Sequence, residues 1–245
     1  MKNLAVICLL LLNLNSFFSQ SENLSQFDDK LIHFGFALST NNSGFDLERN
    51  FPGSDSLRSV LVSGKTSFSL GVVTSINVNP NFKIRFILPT LSFLERAIDY
   101  TFVDPATNLE TVYKKPLNST YLDFPLLFKF RTNRIHNFAV YGITGFKYGI
   151  DMSSNIDVNN NGVGEEEKVV KLEKTDFSSE VGGGVDLFLK YFKLGIEIKL
   201  ASGMRNLLYM TPDKARNLGE EPSKFENAIK SLKSRVWTLS FTFEG

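Results

Sequence analysis

Disulfide chemistry is nearly absent from this chain, whose one cysteine, Cys8, lies inside the N-terminal apolar run. That run, Leu4 to Leu14 behind the basic Met1-Lys2-Asn3, is too short to cross a bilayer as a helix, and no later stretch approaches spanning length. It reads instead as a secretory signal peptide ending near Ser19-Gln20-Ser21, residues of a kind that a signal peptidase accepts. Residues 1–21 are therefore assigned to the signal peptide and 22–245 to a single mature domain. Cleavage would remove Cys8, leaving no thiol chemistry. A lipoprotein anchor does not fit, because Ala5-Val6-Ile7 precede Cys8 where a lipobox needs small residues. Charge of one sign is also missing. A formal net charge of +1 and a pI near 7.8 provide no basis for a nucleic-acid partner. Histidine, the usual general base, is represented by His33 and His136 alone.

What the chain does have is phenylalanine, 23 of them, in a sequence whose mean hydropathy is only −0.06. The two facts are reconciled by a period of two. Phe68-Ser69-Leu70-Gly71-Val72 alternates apolar with small or polar residues, and the same rhythm recurs about eight times, ending in Trp237-Thr238-Leu239-Ser240-Phe241-Thr242-Phe243. The faces opposite the apolar rows carry charge. Ile84 and Phe86 alternate with Lys83 and Arg85, Phe124 and Phe128 with Asp123 and Lys129, and Phe146 and Tyr148 with Lys147. Val185 and Leu187 flank Asp186, and Ile196 and Ile198 alternate with Glu197 and Lys199. A sheet with charges on one face and Phe, Leu and Ile on the other suits a wall whose outside is lipid.

The connections point the same way. Turns near residues 77–81, 132–136 and 190–193 are short, whereas the stretches 41–64, 104–117, 152–175 and 202–234 are long, and the two kinds alternate strictly. The fold class expected is all-β: an eight-stranded antiparallel transmembrane β-barrel with short periplasmic turns and four longer extracellular loops. At Pro89 the third strand slips phase, which suggests a bulge, and beyond it the strand is expected to run on towards Phe102. An eight-stranded lumen is just wide enough for side chains to fill it. Lys83, Arg85, Asp123, Lys129, Lys147, Asp186, Glu197 and Lys199, together with Lys190, are thus expected to form a salt-bridged plug rather than line a pore.

Candidate chemistry is sparse. His33 and His136 fall at the periplasmic end, away from the outer rim where a lipid-modifying or proteolytic barrel would work, so no catalytic residue and no cofactor are assigned. Asp157-Val158-Asn159-Asn160-Asn161-Gly162 opens like a calcium loop, but the twelfth position is Lys168 where a bidentate glutamate is required. Glu165, Glu166 and Glu167 could donate from elsewhere, yet the segment reads as a solvated loop and no metal site is assigned. In the last loop, Ser223-Lys224-Phe225-Glu226 has the form of a capping box. Phe225, Ile229 and Leu232 share a side at helical spacing, giving either a lid on the rim or a docking surface for another protein. The aromatic C-terminal strand is of the kind that barrel-insertion machinery recognises.

Three segments resemble the PorT/SprT family, small outer-membrane barrels tied to type IX protein secretion and gliding motility in Bacteroidetes. They are Lys30-Leu31-Ile32-His33-Phe34-Gly35-Phe36, Tyr121-Leu122-Asp123-Phe124-Pro125-Leu126-Leu127-Phe128-Lys129, and the ending from Ala228-Ile229 through Leu232-Lys233-Ser234-Arg235 to Leu239-Ser240-Phe241-Thr242-Phe243-Glu244. The resemblance implies a non-enzymatic accessory or assembly component of that secretion system. Outer-membrane lipid and the insertion machinery are the partners expected of the barrel itself, and the resemblance adds other secretion proteins. Rival roles are an adhesin-like, ligand-binding barrel and, less favoured, a rim-active enzyme.

Overall fold

The computed structural model describes residues 22–50, 56–160, 162–211, 214 and 222–245, so the expected signal peptide lies outside the described residues. Eleven strands follow one another: β1 (Ile32–Arg49), β2 (Leu57–Gly64), β3 (Thr66–Asn79), β4 (Phe82–Leu94), β5 (Arg96–Val103), β6 (Glu110–Pro116), β7 (Ser119–Arg131), β8 (Phe138–Asp151), β9 (Thr175–Phe188), β10 (Lys193–Gly203) and β11 (Ile229–Glu244). Eight close into an antiparallel barrel in the order β1-β11-β10-β9-β8-β7-β4-β3, while β2, β5 and β6 form a separate sheet in the order β2-β5-β6. The expected barrel is present, with its strand count.

Alternation maps onto the wall as the lipid argument requires. Phe34, Phe36, Leu38, Phe124, Phe146 and Phe241 stand exposed on the outer face, whereas Arg85, Lys129, Asp186 and Glu197 are buried inside. The phase slip at Pro89 is a real break. Between β4 and β7 the register shifts from Phe86 to Thr90, opposite Pro125; neither proline has an N–H to give the ladder.

The structure departs from expectation above the membrane. A transmembrane strand needs about 9–11 residues, but β1 has 18 and β11 has 16. Pairing of β1 with β3 stops at Asn42 and Thr66, while pairing of β1 with β11 runs on to Arg49 and Ile229. The surplus forms a two-stranded ribbon on the side away from the termini. Residues 41–64, 104–117 and 202–234 are therefore not simple loops: they supply this ribbon, β2 and β6 as well as turns. Along the ribbon the polarity of the two faces inverts. Phe45, Ile229 and Leu232 turn inward, and Asp46, Glu48, Lys230 and Lys233 turn outward, because the surroundings there are water.

The ribbon and the sheet β2-β5-β6 enclose a hydrophobic core of their own. Phe45, Val60, Ile98, Tyr100, Leu207 and Leu208 contribute to it, as do Phe225, Ile229 and Leu232. This folded cap was not expected from the sequence. The capping box holds as read: the Glu226 N–H donates to Ser223 Oγ (3.2 Å) and the Ser223 N–H donates to Glu226 Oε2 (3.0 Å). The helix it starts, α1 (Lys224–Asn227), is only four residues long. Ile229 and Leu232 lie in β11, and a register shift at Glu48/Arg49 brings them to one face.

Candidate functional site

Inside the barrel, charged side chains form three levels. At the periplasmic end, residues 27–29 make a 3-10 turn that folds back into the opening. Asp28 there accepts two hydrogen bonds from the Arg131 guanidinium (2.8 and 3.0 Å) and one from Lys83 (2.9 Å). Phe27 stacks on His33, with centroids 3.8 Å apart, and meets Phe188 edge-on. His33 is engaged at both ring nitrogens, with Asn77 Nδ2 at 3.0 Å and the Gly245 carbonyl at 3.2 Å. His136 sits in the turn before β8 with a left-handed backbone (φ 55°).

The middle level is fully buried. Arg85 bridges two carboxylates, Glu197 at 2.8 Å and Glu244 at 2.7 Å. Lys193 reaches Glu244 at 3.1 Å, and Lys129 reaches Asp186 at 2.7 Å while lying 3.4 Å from the centre of the Tyr141 ring. The Tyr141 hydroxyl donates to Glu197 (2.9 Å), whose other oxygen lies 3.3 Å from Lys199. Charges taken this far from water persist only when paired and hydrogen-bonded. Here every cation has a carboxylate.

In the upper level, Asp123 accepts from Ser92 (2.7 Å) and lies 3.5 Å from Lys147, which also approaches Glu180. Above it the Arg96 guanidinium stacks on the Phe45 ring at 4.2 Å and donates to Ser119 and Ser234. A cavity of about 40 Å³ lies among Asp123, Lys147, Glu180 and Lys199, space for a few waters at most. At all three levels, paired side chains occupy the lumen.

All eight charges assigned to the lumen network meet there. Six further participants, Asp28, Arg96, Arg131, Glu180, Lys193 and Glu244, complete the three levels, of which alternation sets Arg131 and Lys193 on inward faces. Glu244 was legible in principle, because it continues the inward series Ser240, Thr242 beyond the last aromatic. Lys190 is different: it lies in the turn after β9, beside the Tyr191 ring, and joins no network. Phe225, Ile229 and Leu232, considered as a docking surface, are completely buried in the cap core, so they offer nothing to a partner. Their apolar side chains are what holds the cap together. The loop with calcium-like spacing is tied internally instead. Asn160 exchanges hydrogen bonds with the Val169 backbone, Glu165 pairs with Lys168, and Glu166 accepts from Tyr113 (2.5 Å). Asn161 lies outside the described residues, and among those described no cluster of acids and histidines could hold a metal.

The closed eight-stranded wall, apolar outside and ion-paired within, defines an outer-membrane β-barrel. Residues 18–209 match the family described as outer membrane protein beta-barrel domain, and the chain belongs to that family. It is accordingly a protein of the cell outer membrane. Two solved structures are similar to it. OprG from Pseudomonas aeruginosa has a TM-score of 0.44 at 15% identity, over 88% of this chain and 94% of that one. Ail, the attachment invasion locus protein of Yersinia pestis, in complex with the heparin analogue sucrose octasulfate, has a TM-score of 0.38 at 11% identity, over 88% and 100%. No curated protein matches the sequence.

The periplasmic plug has a pH signature. Burial pushes the Asp28 carboxyl up, but hydrogen bonds and charge from Arg131 and Lys83 outweigh it and hold its pKa down at about 2. A carboxyl with a depressed folded pKa stabilises above its unfolded value and loses that contribution as pH falls through the folded one. The plug should therefore be fully held at neutral pH and release as pH drops from about 4 towards 2. Proteolysis of the N-terminal segment in folded, detergent-solubilised protein measures this. Asp28→Asn should show the released behaviour already at pH 7. An N-terminus equally protected in both proteins would refute the assignment.

Proposed function

We propose that this protein is a non-enzymatic, non-conducting outer-membrane barrel that acts through contacts, as an accessory or assembly component of type IX protein secretion and gliding motility. The observation that carries the contact-based reading is the middle level of the lumen, where Arg85, Lys129 and Lys193 are locked to Glu197, Asp186 and Glu244. A barrel filled in this way cannot pass a solute, still less a folded protein. The secretion role rests on the resemblance to the PorT/SprT family in the segments at Lys30–Phe36, Tyr121–Lys129 and Ala228–Glu244. Surfaces available for contact are the outside of the cap, the wall and the periplasmic turns. Partners are then lipid, the insertion machinery and other secretion proteins.

Two measurements test it. Purified protein in planar bilayers should give no steady conductance, and stable nanosiemens channels would overturn the sealed-lumen reading. Deletion of the gene should abolish protein secretion and surface motility, with rescue by a His33→Ala, His136→Ala variant that inserts normally. Loss of adhesion alone would favour a ligand-binding barrel, and failure of the variant to rescue would favour an enzyme.

A further inference from the structure

The outer wall carries a groove at the level where the membrane ends. Below it the outward rows on β1, β10 and β11 are apolar: Leu38, Ile198, Leu239 and Phe241. At the groove they give way to Thr40 and Asn42 on β1 and Thr66 on β3, opposite Trp237 on β11. The depression, about 300 Å³ and open to the outside, is lined by Thr40, Asn42, Thr66, Ile198, Trp237 and Leu239. Its lower half is hydrocarbon-like and its upper half offers hydroxyls and an amide. Trp237 is nearly half exposed at the junction, the depth an interfacial tryptophan prefers.

One outward position above Trp237 on β11 is Arg235. Same-face residues on a strand are about 7 Å apart, so the arginine side chain can reach the mouth of the groove. Its cross-strand neighbours are Gly44 and Ser202, neither of which carries an acid. Farther out, Lys230 is already paired with Glu48 at 2.6 Å, whereas Arg235 makes no ion pair among the described residues. A guanidinium with no ion pair among the described residues, a tryptophan and an amphipathic slot are thus stacked in the order in which a lipid presents phosphate, interface and acyl chain.

We propose that this groove binds one phosphate-bearing lipid of the outer leaflet, with Arg235 on the phosphate, Thr40, Asn42 and Thr66 on the polar head, and Ile198 and Leu239 along an acyl chain. The occupant follows from place and charge. At this height on a membrane wall the surrounding molecules are outer-leaflet lipids, and the cation selects those carrying phosphate.

Trp237 is the chain's only tryptophan, so its fluorescence reports on the groove directly. Full-length protein in zwitterionic micelles is titrated with bisphosphorylated lipid A. The expected result is one saturable change in emission at one lipid per protein. Arg235→Gln should weaken it about tenfold, the usual loss of a charge-assisted hydrogen bond. Dephosphorylated lipid A should bind the unaltered protein as weakly as that variant binds the phosphorylated form, and inorganic phosphate alone should leave the emission unchanged. Thr66→Phe, which fills the groove without touching its charge, should remove saturation. Heat-modifiable mobility on gels certifies that each variant is folded. Equal responses to phosphorylated and dephosphorylated lipid, saturation by inorganic phosphate, or unaltered titration of either variant would overturn the proposal.

Discussion

Arg85→Ala should be the most destabilising single truncation inside the barrel. The guanidinium is completely buried and is shared between Glu197 and Glu244. Removing it leaves two carboxylates facing each other across a small cavity, with Lys193, Lys199 and the Tyr141 hydroxyl as their remaining partners. Breaking a buried pair by deleting one member costs about 3–5 kcal/mol, because the abandoned charge stays out of water. Here one deletion abandons two. Urea unfolding in lipid vesicles should show the full loss, against less than about 0.5 kcal/mol for the exposed loop change Glu166→Ala. Asp123→Ala should fall between them, since Lys147 keeps Glu180 nearby and the adjacent cavity can admit water. The triple change Arg85→Met, Glu197→Gln, Glu244→Gln is the informative control. Exchanging a whole buried ionic group for neutral residues is often close to neutral, so this variant should recover much of what Arg85→Ala loses. If Arg85→Ala unfolds at the same urea concentration as Glu166→Ala, the middle level is hydrated and the sealed lumen is wrong.

The parts of the fold that face lipid were legible in the sequence, and those that face water above the membrane were not. Lipid imposes an unusual signature, apolar outward and charged inward, and this is why the strands holding Lys83, Asp123, Lys147 and Glu197 could be placed with their faces. Above the outer leaflet the signature reverts to that of a soluble protein. Phe45 and Leu47 then alternate with Asp46 and Glu48, and in a polar stretch between clearer strands this reads as loop. For the same reason β2 and β6 carry no barrel-strand signature. Ion-pair partners depend on shear and register, which alternation does not specify; Arg85 meets Glu197 across 112 positions of chain. Asp28 was hidden for a different reason. It precedes the first strand, and nothing local says that the segment turns back into the barrel.

Phe225→Asp should melt the cap and leave the barrel standing. The Phe225 ring is completely buried and meets Tyr100, Tyr113 and Phe102 edge-on at centroid distances of 5.0, 5.7 and 6.0 Å. The Lys115 ammonium lies 4.2 Å from its face. Truncating a buried Phe costs about 3–5 kcal/mol, and placing a carboxylate in the same apolar site adds further. The cap core is separate from the clusters within the lumen, so the damage has a boundary. That boundary lies near Arg96, which joins the two regions by stacking on Phe45 and donating to Ser119 and Ser234. Proteases added to intact cells should cut the variant within residues 96–116 and 204–211, where the unaltered protein resists, while its heat-modifiable mobility persists. Phe225→Leu, which keeps the site apolar, should resist almost as well. If secretion works through contacts at the cell surface, it should fail in the aspartate variant and survive in the leucine one. A variant that never inserts would mean that the ribbon of β1 and β11 must fold before the barrel can close. A fully protease-resistant variant would mean that Phe225 contributes little to the core it fills.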